Sequence, residues 1–132
     1  MTQLIHQWLL QFRLHALLHD HVVKVMVAMP EAVRLDLMGD PCFVMHDYDP
    51  TEVMTLIPVA SPLGSGPSRS VSLKRTLCHR PTEFVQWVIA HELAHAHLRN
   101  GGTEAVVDPE AAADFLAADW GFPRPVFVRN RV

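Results

Sequence analysis

The chain has 132 residues and a mass of 14.9 kDa, a length that favours one domain over two. Hydrophobic residues make up 49% of it and charged residues 19%, which provides enough apolar surface for a packed core and argues against a disordered chain. With 14 acidic and 11 basic side chains the formal net charge is -3, so the chain lacks the surplus of positive charge that binds a phosphate backbone. We therefore expect a single domain over residues 1–132 and no nucleic-acid partner.

Two cysteines, Cys42 and Cys78, are too few for a disulfide-rich secreted scaffold, and their spacing is not that of a metal knuckle. The first residues show no basic start followed by an apolar run, and no stretch approaches the roughly 20 apolar residues of a membrane span. These features predict a cytoplasmic protein that does not bind membranes.

The first two-thirds of the chain are predicted to form a helix and then a sheet. Apolar residues recur at helical spacing over residues 3–19, which predicts an amphipathic helix. Short segments rich in β-forming residues follow, separated by turn residues, at 22–29, 33–38, 42–46, 53–60 and 70–74. The loop at 61–70 has the composition of a hairpin tip. We expect a small, mostly antiparallel sheet covered by the N-terminal helix.

The last third is predicted to contain two helices, over 83–99 and 109–120. Thr82 is a favourable N-cap for the first helix. Asp108 is a stronger N-cap for the second, since Pro109 then occupies the first helical position. The fold class is therefore α+β.

The first of these two helices contains His91 and His95, four residues apart. At about 100° per residue the two imidazoles lie on one face and one turn apart, so both can bind one metal ion. Glu92 lies to one side of them and can reach a water molecule without occupying a coordination position, as a general base requires. His97 points away from His95, at about 160° around the helix.

Glu110 is the favoured third ligand, because catalytic zinc usually keeps three protein ligands and one water. It falls in the first turn of the second helix, where the helix dipole stabilises an ionised carboxylate. Glu104 and Asp108 are the alternatives. Asp114 lies one turn after Glu110 and is placed to accept a hydrogen bond from the outer nitrogen of a zinc-binding histidine.

The sequence resembles a known family in two segments, His91-Glu92-Leu93-Ala94-His95 and Glu110-Ala111-Ala112-Ala113-Asp114. Together they are similar to the HExxH and ExxAD motifs of the gluzincin metallopeptidases, and the size of the chain is similar to that of the minigluzincins. The small residues of the second helix also resemble those of the ImmA/IrrE-type peptidases. The resemblance implies a zincin-like fold, a peptide or protein substrate, and Zn²⁺ held by His91, His95 and Glu110. It implies that Glu92 is the general base and that Asp114 contacts the ligands without binding the metal.

The sequence therefore predicts a zinc metallopeptidase, and an endopeptidase rather than an exopeptidase. An alternative is a catalytically weak or inactive zinc-binding protein that regulates a partner by binding it. Larger gluzincins supply a downstream Tyr or His to stabilise the oxyanion, and this chain has neither after Asp114. Tyr48, His46 and His79 are the remaining candidates for that role. The same i, i+4 spacing at His15 and His19 has no glutamate between, and we expect no second site there.

The C-terminal tail is the last predicted element. Val126-Phe127-Val128 has the apolar character of a short extended segment. The resemblance to minigluzincins implies that such a segment obstructs the active site, and it would then pair beside the strand at 70–74. The alternative is a tail that covers the core or frays.

Overall fold

The computed structural model describes residues 1–49, 69–100 and 108–128. Within these ranges the chain is α+β, as predicted, with five α-helices and a small two-stranded sheet. In chain order the elements are α1 Thr2–Leu9, α2 Ala16–Ala28, α3 Glu31–Met38, β1 Phe43–Tyr48, β2 Arg69–Lys74, a 3-10 helix Arg75–His79, α4 Thr82–Asn100 and α5 Pro109–Asp119.

The two strands are parallel, so the prediction of a mostly antiparallel sheet is wrong. Their register runs from Phe43 opposite Arg69 to Tyr48 opposite Lys74. Parallel neighbours need a crossover of a dozen residues or more, and residues 49–68 provide that length. The predicted strand at 53–60 and most of the predicted loop at 61–70 lie outside the described residues.

The predicted helix over 3–19 is instead two helices, because β1 interrupts it. The backbone N–H of Asp47 donates to the carbonyl of Arg13 at 2.9 Å, and the N–H of His15 donates to the Asp47 carboxylate. His15 then caps α2, since its ring accepts a hydrogen bond from a backbone N–H in the first turn. A tertiary contact thus overrides the helical periodicity of the sequence. The first of the two helices still reaches the sheet, where the rings of Trp8 and Phe43 lie 5.5 Å apart.

The segments 22–29 and 33–38, predicted as strands, belong to helices α2 and α3. Val22, Val23, Val25 and Met26 are all buried, so this side of α2 presents a nearly continuous apolar run that periodicity does not separate from a strand. The overlooked start of α3 is Pro30-Glu31, which places an acidic residue in the first turn.

Helix α4 occupies the centre of the fold, in contact with α2, α3, α5 and β2. Its buried residues Val85, Ile89 and Leu93 recur every four positions and join the hydrophobic core. The predicted bounds of both C-terminal helices agree with the structure to within one residue. Asp108 caps α5 as expected, and Gly121 follows it with a φ of 103°, a conformation that favours glycine. No described helix is long and apolar enough to cross a membrane.

Candidate metal centre

Helices α4 and α5 are neighbours, and small residues let them approach closely. Ala90 and Ala94 of α4 are completely buried, as are Ala113 and Ala117 of α5. Because the distance between packed helices depends on the side chains at the contact, pairs of alanines at i, i+4 favour a short one. This closeness brings a glutamate of α5 within reach of the histidines of α4.

Three predicted ligands converge between these helices. His91 Nε2 lies 3.0 Å from Glu110 Oε1, His95 Nε2 lies 2.8 Å from Glu110 Oε2, and the two Nε2 atoms are 3.1 Å apart. A tetrahedral ion with bonds of about 2.0–2.1 Å needs donors about 3.3 Å from one another. The observed spacings are a few tenths of an ångström shorter, so these residues could hold a metal ion after a small expansion.

The hydrogen bonding of His91 also fits a cation. Its Nδ1 lies 2.9 Å from Asp114 Oδ1, and an ionised carboxylate only accepts, so Nδ1 carries the proton. In the neutral ring Nε2 then presents a lone pair to the Glu110 carboxylate at 3.0 Å. Two acceptors at this distance repel each other unless a proton or a metal ion lies between them. The donor set is therefore chemically suited to binding a cation.

Asp114 has the position that the sequence predicted for it, on the outer nitrogen of His91. The same Oδ1 atom accepts a second hydrogen bond from Trp87 Nε1 at 3.1 Å. With His91 only 5% exposed, these contacts fix the orientation of its ring. Trp87 is thus both a buried core residue and a hydrogen-bond donor behind the candidate ligands.

Glu92 lies at one end of a cleft of about 350 Å³. Its half-buried side chain makes no hydrogen bond or ion pair with any described residue, which leaves the carboxylate available to a bound molecule. His91, His95 and Glu110 do not line this cleft, so Glu92 is the link between it and the candidate metal centre. The walls come from α4, β2, the end of β1, the 3-10 helix and the residues that follow it.

Of the three candidate oxyanion donors, Tyr48 lines the cleft. His46 is 2% exposed and its Nε2 lies 3.0 Å from Ser72 Oγ. Burial lowers the pKa of His46, and the positive charge of Arg13 lowers it to a smaller extent. The negative charge of Asp47 acts in the opposite direction and raises this pKa. His79 ends the 3-10 helix and is not among the lining residues.

The other predicted ligands and histidines lie elsewhere. Glu104 is outside the described residues, and Asp108 accepts hydrogen bonds from the first turn of α5. His97 binds Asp36 of α3 at 2.7 Å, away from the candidate ligands as expected. His19 contacts His6 at 2.8 Å, whereas His15 caps α2.

The tail does not form the predicted extended segment. Residues 126–127 make a turn that is closed by a hydrogen bond from Val128 N to Pro125 O at 3.0 Å, and no described residue of the tail pairs with β2. The ring of Phe127 instead lies 6.3 Å from that of Phe84, a cleft residue. The described tail therefore borders one end of the cleft.

Several cleft residues had no individually predicted role, among them Ser72, Lys74, Arg80 and Val88. A signal existed for Val88, which continues the spacing from Phe84 to Glu92 along α4. The others come from β2 and from the residues before α4, and only the tertiary fold brings them to Glu92.

Comparison with known proteins finds no matching family model, no similar curated protein and no matching solved structure.

Proposed function

We propose that the protein is a zinc-dependent metallopeptidase with a zincin-like active site. The observation that carries this proposal is the convergence of His91, His95 and Glu110 beside Glu92, which itself faces a cleft. Two imidazoles and one carboxylate form a ligand set typical of catalytic zinc.

The number of ligands supports catalysis over a purely structural site. Among the described residues three donors converge, and Asp114 binds the second nitrogen of His91 instead of adding a fourth ligand. A catalytic site needs the remaining position for water or substrate, whereas a structural site usually closes it. Zinc, when bound, polarises the substrate carbonyl and lowers the pKa of water.

The chain's own residues then have separate roles. Glu92 accepts a proton from the attacking water and passes it to the nitrogen of the leaving amine. Asp114 and Trp87 hold the ring of His91 in one orientation. Tyr48 donates a hydrogen bond to the substrate within the cleft.

The substrate is proposed to be an extended peptide or an unfolded protein segment. Phe84 and Val88 lie two turns and one turn before Glu92, so the cleft extends away from the general base along α4 and can hold several residues on one side of the cleaved bond. We place this activity in the cytoplasm, where the free thiols of Cys42 and Cys78 are stable.

The test combines metal analysis with a cleavage assay on a reduced, alkylated protein. The wild type is expected to hold about one zinc per chain, and the double variant His91→Ala/His95→Ala to hold none. Glu92→Gln is expected to keep zinc and fold but lose cleavage. Glu83→Gln, the same change at an exposed position in the first turn of α4, is the matched control.

Stoichiometric zinc in the double histidine variant would refute the ligand assignment. Full activity in Glu92→Gln would exclude its role as general base. Zinc binding without cleavage of any substrate would favour the alternative, a regulatory zinc protein that acts by binding a partner.

A further inference from the structure

The cleft beside Glu92 is elongated along α4. Phe84, Val88 and Glu92 all line it and follow one another at intervals of four residues. Residues spaced in this way form one stripe on a helix, and eight residues rise about 12 Å. An extended chain advances about 3.3 Å per residue, so this stripe accommodates three to four residues of a bound peptide.

The two ends of the stripe carry opposite charges. Glu92 is the carboxylate among the described lining residues, and it lies at one end. At the other end the Arg80 guanidinium lies 4.4 Å above the ring of Phe84, a cation–π contact that holds it at the cleft. Lys74 adds a second cation to the wall. Within the described part of the chain neither cation forms an ion pair, so both charges are available to a ligand.

The strand β2 contributes a further donor. The buried Nδ1 of His46 has no hydrogen-bond partner among the described residues. A buried N–H without a partner is rarer than a buried acceptor without one, so the proton belongs on Nε2, which then donates to Ser72 Oγ. The hydroxyl hydrogen of Ser72 is thereby free to turn into the cleft. Serine, lysine and arginine together make a wall that presents donors and positive charge.

We propose that this cleft selects peptides with an aspartate or glutamate side chain that binds Arg80, three to four residues from the bond that lies at Glu92. The inference rests on the proposed peptidase function and adds its substrate class. A carboxylate placed next to Glu92 would be repelled, whereas one beside Arg80 gains a charge-assisted hydrogen bond. The apolar stretch of Phe84 and Val88 separates the two positions.

The experiment uses the full-length, zinc-loaded protein and three fluorescein-labelled ten-residue peptides of alanine, leucine and serine. They are identical except for one central residue, which is glutamate, glutamine or lysine. Binding is measured by fluorescence anisotropy and the cut position by mass spectrometry. We expect the glutamate peptide to bind about five- to tenfold more tightly than the glutamine peptide, with the lysine peptide weakest.

Arg80→Glu is expected to remove this preference and Arg80→Gln to weaken it, because Lys74 still contributes a positive charge to the wall. Lys24→Glu is the matched control, because it changes the net charge equally at an exposed residue of α2 that does not line the cleft. Equal binding of the glutamate and glutamine peptides to the wild type would overturn the inference. So would an unchanged preference in Arg80→Glu.

The cut position separates this inference from the proposed function. Cleavage three to four residues from the glutamate supports both. Cleavage at positions unrelated to the glutamate, with no preference in binding, overturns the inference and leaves the peptidase function standing. A binding preference that depends on Arg80 without any cleavage supports the acidic-ligand site and counts against the peptidase.

Discussion

Replacing Asp114 is expected to weaken zinc binding without removing a ligand. The Asp114 carboxylate accepts hydrogen bonds from His91 Nδ1 at 2.9 Å and Trp87 Nε1 at 3.1 Å. In Asp114→Asn an acceptor oxygen remains but its charge is lost. A charge-assisted hydrogen bond contributes about 1.5–3 kcal/mol and a neutral one about 0.5–1.5 kcal/mol. The substitution therefore weakens the hydrogen bond to His91 by about 1–1.5 kcal/mol.

This difference corresponds to roughly tenfold weaker zinc binding for Asp114→Asn. Asp114→Ala also removes the acceptor, and the loss is expected to approach a hundredfold, the upper range for residues that orient a metal ligand. Affinities are measured by competition with a chromogenic chelator at constant pH. Asp119→Asn, the same substitution at an exposed residue of α5, is the control. Unchanged affinity in both Asp114 variants would refute the assigned role.

Two further predictions concern stability. Arg69 is 1% exposed and donates five hydrogen bonds, four of them to Asp36 and Asp40, so Arg69→Ala is expected to lose about 3–5 kcal/mol in urea unfolding. Arg75 is 45% exposed in its ion pair with Asp47, which keeps its hydrogen bond from the N–H of His15, so Arg75→Ala is expected to lose under about 1 kcal/mol. Equal losses in the two variants would contradict this reasoning. Burial lowers the pKa of His46 below 6.5, so the unfolded state binds more protons and stability is lost as the pH falls below that value. The unfolding free energy of the metal-free protein should therefore fall less steeply below pH 6.5 in His46→Gln than in the wild type. If the unfolding free energies of the two proteins ran parallel against pH, His46 would not be a source of this loss of stability.

The candidate metal centre was predictable because its determinants are local. His91 and His95 need only the geometry of one helix to converge. Asp108 and Pro109 mark the start of α5, and that start fixes the position of Glu110 along the helix axis. What the sequence did not contain is the approach of α5 to α4, which was inferred from the need for a third zinc ligand and from the family resemblance.

The N-terminal part was predicted poorly because its determinants are not local. Arg13 and His15 leave the helical pattern only because Asp47, more than 30 residues later, binds them. The apolar run of α2 is buried on several sides, and under that condition helix and strand patterns are alike. With 22–29 and 33–38 taken as strands, short antiparallel connections followed, and the parallel pairing of β1 with β2 was missed.

Helix α4 explains why the metal centre was predictable and the cleft was not. At about 100° per residue, Val85, Ile89 and Leu93 occupy one sector of its surface, and His91 and His95 occupy another whose centre lies about 140° away. Glu92 falls between these two sectors, so it is the residue that can serve both the metal centre and a bound peptide. The motif therefore specifies the position of the proposed general base by itself. The residues opposite Glu92 depend on where β2 and the 3-10 helix lie against α4, and these positions are set by the tertiary fold.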